Sequence, residues 1–185
     1  MQSTLPAAAA PIVETDRLRL RGHTLADFEA SFAMWSEPSV ARYIGGKPST
    51  REEAWGRLLR YVGHWALLGF GYWLVEEKES GRFAGEIGLS NFLRAIEPPL
   101  APVPEAGWVL APWAQGRGFA TEAVSATLRW MEQHHGTGRT VCLINPENAP
   151  SLRVAARVGY VELSRVDYHG EPNIVLERLA PRPSA

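Results

Sequence analysis

The sequence predicts one α/β domain of the α+β kind, built on a single mixed sheet. Three observations predict it. Strand-like segments outnumber helical ones, helix and strand alternate only in the second half, and a glycine-rich turn joins a strand to a helix there. About six to seven strands and about four helices are expected around one core.

The elements follow in order. Thr15 to Arg21 alternates, with Leu18 and Leu20 on one face and Arg17, Arg19 and Arg21 on the other, as a half-buried strand with a solvent face does. Thr24-Leu25-Ala26-Asp27 resembles a capping box with Asp in place of Glu. Leu25, Phe28, Phe32 and Trp35 then recur at helical spacing, so a helix is expected over 25–36. Thr50-Arg51-Glu52-Glu53 is a second capping box, and Ala54, Leu58, Tyr61, Val62 and Trp65 form the stripe of the next helix. Gly69 and Gly71 punctuate it. Strands at 72–77 and 83–90 flank a hairpin turn at Glu79-Ser80-Gly81-Arg82. The proline-rich stretch from Pro98 to Pro104 excludes helix and central strand, and leaves open a stiff connector or the rim of a site. Glu105 to Leu110 is a strand ended by Pro112. A helix runs from Phe119 to about Gln133, with Gly136 as its stop. Thr140 to Ile144 is a short buried strand, and a helix opening at Asn148 or Ser151 runs to Val158. Strands at about 160–167 and 171–179 close the chain around His169-Gly170. The domain is expected over 13–180, with frayed ends at 1–12 and 181–185.

Composition narrows the function classes. Nineteen basic against 20 acidic residues give a net charge of −1, so no excess charge points to nucleic acid or a membrane surface. Residues 1–12 lack the basic and apolar regions of a signal peptide, and no apolar run is long enough to span a bilayer. Cys142 is the only cysteine, which excludes an intramolecular disulfide and fits a cytoplasmic location. It lies within Val141-Cys142-Leu143-Ile144 and reads as a small buried hydrophobe. The five histidines show no ligand spacing, so no metal is expected. Trp35, Tyr43, Trp65 and Trp73 either pack the core or wall an acceptor cleft.

The chemistry-bearing motif is Gln115-Gly116-Arg117-Gly118-Phe119-Ala120, which opens a helix. The first helical turn offers unpaired N–H groups and the positive end of the dipole, and glycines let a pyrophosphate approach the backbone. The hexapeptide alone also fits a glycine-rich turn with no ligand. Neither G-x-x-x-x-G-K-[ST] nor G-x-G-x-x-G is present, because Thr121 stands where the second pattern needs its last glycine.

The chain resembles the GCN5-related N-acetyltransferases (GNAT), whose acetyl-CoA loop reads [QR]-x-x-G-x-[GA], matched here by Gln115, Gly118 and Ala120. Asn148-Ala149-Pro150-Ser151 and the closing Gly159-Tyr160 match a second family signature. Glu14 to Arg21 and Trp113 to Ala123 are similar to the ribosomal-protein N-terminal (RimJ/RimL-type) branch. The resemblance covers about 13–180 in the family's order.

It implies a splayed strand at Trp108, Val109 and Leu110, whose backbone pairs with the pantetheine arm. It implies a pyrophosphate cradle from the backbone of Gln115, Gly116, Arg117, Gly118, Phe119, Ala120 and Thr121. Asn148 is expected either on the pantetheine or as a helix N-cap. Glu105 and Glu86, on central strands, are the candidate proton acceptors, against a bland reading as polar residues on the open sheet face. A backbone N–H near Val109 or Leu110 is expected at the oxyanion. Many relatives carry a tyrosine donor to the leaving sulfur seven residues after the asparagine, but here that position is Ala155. Ser151 matches the serine of the ribosomal-protein branch and is the candidate donor, with helix capping as its other reading. The implied reaction is direct acetyl transfer in a ternary complex, to a protein N-terminus or a small amine, by a monomer or homodimer. A non-catalytic acyl-CoA sensor is the alternative.

Overall fold

The computed structural model describes residues 10–97, 99–100 and 102–180. Eight strands form one sheet: β1 (Val13–Glu14), β2 (Leu18–Arg21), β3 (Tyr72–Glu77), β4 (Phe83–Ser90), β5 (Glu105–Leu110), β6 (Arg139–Ile144), β7 (Val161–Tyr168) and β8 (Glu171–Leu179). Their spatial order is β1-β2-β3-β4-β5-β6-β8-β7. The helices are α1 (Phe28–Trp35), α2 (Pro38–Ala41), α3 (Arg51–Leu68), α4 (Phe119–His135) and α5 (Ala149–Arg157). The additions to the expected set are the two-residue β1 and the single-turn α2, both too short to show periodicity.

Local chemistry sets the helix starts as the sequence implies. Thr50 Oγ accepts from the Glu53 amide at 3.2 Å while Glu53 accepts from the Thr50 amide at 2.8 Å. Asp27 accepts from the Thr24 amide at 2.7 Å, but Leu25–Asp27 is a 3-10 turn, so α1 begins only at Phe28. Ala10–Ile12 do not fray as expected. The Pro11 carbonyl accepts from Trp73 Nε1 at 2.8 Å, and Ala10 packs on the core. Residues 1–9 and 181–185 lie outside the described residues, as do Pro98 and Ala101 of the proline-rich loop.

The sheet separates two layers. Adjacent Glu86 and Ile87 point to opposite faces. Ile87 joins Leu18, Leu20, Val75 and Leu89 under Phe119, Val124 and Met131 of α4. Glu86 instead receives Ser31 and Trp35 of α1. Trp65, Trp73 and Trp130 meet edge to face, with centroids 4.5 to 5.4 Å apart, so these tryptophans belong to the core. Cys142 is fully buried, and burial pushes its thiol above the ordinary range. No described helix is long and apolar enough to cross a membrane.

Every neighbouring pair of strands is antiparallel except β5 and β6. These two are parallel because α4 carries the chain across between them. They share the single pair Glu105↔Val141. The site is built on that one-residue seam.

Candidate active site

β5 pairs with β4 along its whole length, from Ser90↔Glu105 to Gly85↔Leu110. On its other side it is held only at the seam, where the Val141 amide donates to the Pro104 carbonyl at 3.0 Å. Past that point the strands part. The Ala111 amide donates to the Ala84 carbonyl at 2.9 Å. Alternation therefore turns the backbone of Gly107 and Val109 toward β4, and that of Trp108 and Leu110 into the gap. Of the two expected oxyanion donors, Leu110 offers its amide to the gap and Val109 does not. Gln115 Nε2 donates to the Leu110 carbonyl at 3.0 Å and anchors the loop to the open strand edge.

The loop closes over this edge. A 3-10 turn at Pro112–Ala114 ends with the Gln115 amide donating to the Pro112 carbonyl at 3.3 Å, so the free amides begin at Gly116 and not, as expected, at Gln115. Gly116 and Gly118 have φ of +73° and +81°, which a side chain would strain. Gly118 is the N-cap of α4, and the Glu122 amide is the first to bond back, to the Gly118 carbonyl at 3.1 Å. The amides of Phe119, Ala120 and Thr121 thus have no acceptor within the helix. Arg117 turns its side chain away, pairing with Glu77 at 2.6 Å and lying over the Phe119 ring at 4.5 Å from its centroid.

A brace from β2 holds the loop. Glu122 accepts from Thr15 Oγ at 2.6 Å, from the Arg17 amide at 3.0 Å and from Arg17 Nε at 2.8 Å. Arg17 Nη1 also donates to the Arg117 carbonyl at 2.9 Å. Burial alone would raise the pKa of Glu122, but these donors together hold it below its ordinary value. The sequence reading put Arg17 on a plain solvent face; its partner lies over a hundred residues away and no local pattern announces it.

Across the gap, Asn148 caps α5, its Oδ1 accepting from the Ser151 amide at 3.2 Å. The side-chain Nδ2 has no described partner, so capping leaves a donor for a ligand. Ser151 lies inside the helix, not at its cap, and its hydroxyl bonds to no described residue. Ala155 is buried in the core.

One cavity of about 390 Å³ joins these parts. Trp108, Val109, Leu110, Gln115, Gly116, Gly118, Phe119, Ala120, Thr121, Asn148 and Ser151 all border it, and Glu86, Glu105 and Arg117 do not. Ser39, Val40, Tyr43 and Ile44, on and after α2, form a wall the sequence reading missed except for Tyr43. The signal available was Pro38, which suits the first turn of a helix.

Both expected proton acceptors are engaged. Glu86 is 1% exposed and accepts from Ser31 Oγ at 2.5 Å and Trp35 Nε1 at 2.7 Å, with His23 Nε2 3.6 Å away. Burial would raise its pKa, but His23, Ser31 and Trp35 outweigh burial and hold it low. Enclosed and stabilised as the anion, Glu86 does not meet an amine in the cavity. Glu105 stands at the seam, and Arg94 binds both of its oxygens at 2.6 Å.

The comparisons agree with this geometry. A model of the acetyltransferase (GNAT) domain matches residues 17–161. The uncharacterized protein YkkB of Bacillus subtilis (strain 168) is 31% identical over 168 residues, covering 89% of this chain and 93% of that protein. A Bordetella pertussis protein assigned to the GnaT acetyltransferase family is similar in structure, with a TM-score of 0.80 and 35% identity over 91% of this chain and 99% of that one. The fold is also that of RimL, a ribosomal L7/L12 alpha-N-protein acetyltransferase solved with coenzyme A. There the TM-score is 0.75 and identity is 16% over 92% of this chain and 98% of that one. With the splayed strands, the glycine loop and the family match in agreement, the chain belongs to the GNAT acetyltransferase family.

Proposed function

We propose that this protein transfers an acetyl group from acetyl-CoA to a primary amine by direct attack in a ternary complex. The observation that carries the reading is the gap past the Glu105–Val141 seam. It opens into a cavity bordered by unpaired loop amides at one end and the free Ser151 hydroxyl at the other. The amides of Gly116 to Thr121 take the pyrophosphate. The open edge of Trp108 and Leu110 and the free Nδ2 of Asn148 take the pantetheine arm.

The amine attacks the thioester carbonyl, forming C–N as C–S breaks. The Leu110 amide meets the oxyanion. Ser151 donates a hydrogen bond to the departing sulfur; with Ala155 in the tyrosine position, no phenol is available there. Glu105 is the carboxylate at the seam and takes the amine proton, through water, once an Arg94 contact yields. The acceptor is a protein N-terminus or a small amine, as among structural neighbours that act on a ribosomal protein.

Thermal unfolding tests the binding step. Acetyl-CoA at about 100 times Kd adds roughly 2.7 kcal/mol, a rise of several degrees that ATP and NAD do not give. Ser151→Ala is expected to keep that shift and lower kcat about tenfold, the value of one hydrogen bond. No shift with acetyl-CoA overturns the reading. A shift without turnover on peptide N-termini or small amines favours a sensor. Glu105→Gln is expected to keep the thermal shift with acetyl-CoA and to lower kcat on amine acceptors about a hundredfold, the usual loss when a general base is removed.

A further inference from the structure

The face of β5 turned away from α4 carries cations and aromatic rings that acetyl-CoA binding does not use. Ala106 and Leu110 join the core under α4, so Glu105, Gly107 and Val109 point to the opposite face. Each of these three has a cover. Arg94 holds Glu105. Tyr72, two strands away, lies across Gly88 and reaches Gly107, where any side chain would collide with its hydroxyl. Trp35 packs with Val109. Tyr61 of α3 stacks on Tyr72 with centroids 4.4 Å apart. Arg57, one turn earlier on α3, lies 3.6 Å over the Trp35 ring, and Arg60 lies 5.6 Å from the Phe92 centroid. Phe92 also receives Arg94, at 4.7 Å. Burial and then Glu105 push the Tyr72 pKa up, while Arg94, Arg57 and Arg60 all pull against them, so the three guanidinium groups surround one hydroxyl. The carboxylates at this place are already engaged: Glu86 by Ser31 and Trp35, and Glu105 by Arg94. Arg57 and Arg60 form no ion pair with any described residue, and Arg57 Nε is buried without an acceptor. Among the described residues only it and His23 Nε2 are buried and unpartnered, so the Tyr72 hydroxyl, which bonds to no described residue, is open to solvent.

We propose that the acceptor amine carries a carboxylate, and that Arg57 and Arg60, beside Arg94 and the Tyr72 hydroxyl, hold it over Gly107. The inference rests on the acetyl-transfer reading above and names the class of its acceptor. Because α4 fills the other face, the amine comes to Glu105 and the Leu110 amide from this one. Guanidinium groups match carboxylate oxygens in pairs and repel a polycationic amine. A buried guanidinium donor without an acceptor carries a desolvation cost that an anion removes. An acceptor carboxylate also competes with Glu105 for Arg94, which is the yielding contact that proton uptake needs. The bonds made and broken are unchanged: C–N forms, C–S breaks and the amine proton passes to Glu105. The carboxylate belongs either to a free amino acid or to an acidic residue at a peptide N-terminus, and both place it a few bonds from the amine.

The test is calorimetric titration of amines into the full chain saturated with CoA, which has no acetyl group to give. The matched probes are glutamine against glutamine amide, and Asp-Asp-Ala amide against Asn-Asn-Ala amide, with spermidine as the polycation. In at least one pair the carboxylate member is expected to bind about tenfold more tightly than its amide. The first pair points to a free amino acid and the second to an acidic peptide N-terminus. The Arg57→Gln/Arg60→Gln variant is expected to bring that ratio close to one and to keep the thermal shift with acetyl-CoA, which reports an intact fold. Equal binding within both pairs, tightest binding of spermidine, or no binding of any probe by wild type overturns the proposal and needs no variant. A double variant that weakens both members of a pair by the same factor also overturns it. Absence of the acetyl-CoA thermal shift in wild type is the failure of the acetyl-transfer reading itself, which separates the two.

Discussion

Single carboxylates on this fold differ in role according to which cation reaches them. Glu86 and Glu105 are both buried, on neighbouring strands and on the same sheet face, yet one is closed off by α1 and the other sits at the seam beside Arg94. Asp27 is a third case, and a measurable one. Burial by itself would raise its pKa, but hydrogen bonds from Arg21 and Thr24 outweigh burial and bring it from 3.8 to about 2. A depressed carboxylate stabilises the fold fully above its ordinary pKa and loses that contribution as pH falls through the folded value. The Arg21–Asp27 pair is therefore expected to be intact at pH 4 and above and to fail between about 3.8 and 2. A carbon-detected NMR titration of Asp27 checks this: Arg21→Ala is expected to move its midpoint up toward 3.8, and an unchanged midpoint would sink the assignment.

Among the elements, the loop and α4 depend on a partner far away in the chain. The first turn of α4 presents its amides to the cavity because Glu122, four residues past the N-cap, is tied to Thr15 and Arg17. Glu122→Gln keeps the shape and removes the charge that Arg17 pairs with. Its pair is part exposed, so a small stability loss is expected, within about 1 kcal/mol. The larger effect is expected on ligand: severalfold weaker acetyl-CoA binding, because the amides are no longer held in one arrangement. Titration of acetyl-CoA against both proteins decides it, and equal affinity would mean that the loop is positioned without β2. Lowering the pH below the ordinary carboxylate range is expected to mimic the substitution, since the depressed pKa of Glu122 makes the brace a feature of its anion.

At the scale of the whole molecule, the sheet is continuous except at one seam, and the proposed function rests on that interruption. β5 is fully paired on the β4 side and open past Glu105 on the β6 side. Amide exchange reads the difference residue by residue. The Leu110 amide, facing the gap, is expected to exchange quickly in the free protein and to gain protection with acetyl-CoA. The Val109 amide, directed to β4, is expected to be protected in both states. Protection of Leu110 without ligand would mean that the gap closes in solution.

Much of this architecture is legible in one dimension because its causes are local. Capping boxes, the 3.6-residue stripes of α3 and α4, the alternation of β2 and the glycines of the loop act within a few residues, so the sequence alone determined those elements and the glycine-rich turn from strand to helix. The match to the family signatures then pointed to the cavity's residues, from Trp108 to Ser151, which the structure brings together. The rest was decided by contacts between distant segments. Only the tertiary structure engaged Glu86 with Ser31 and Trp35, gave Arg94 to Glu105, turned Arg17 toward the loop and placed α2 as a wall. Those outcomes turn on which side chain reaches which partner across the sheet, and a side chain's electrostatic environment is a property of its neighbours in space, which residue order does not contain.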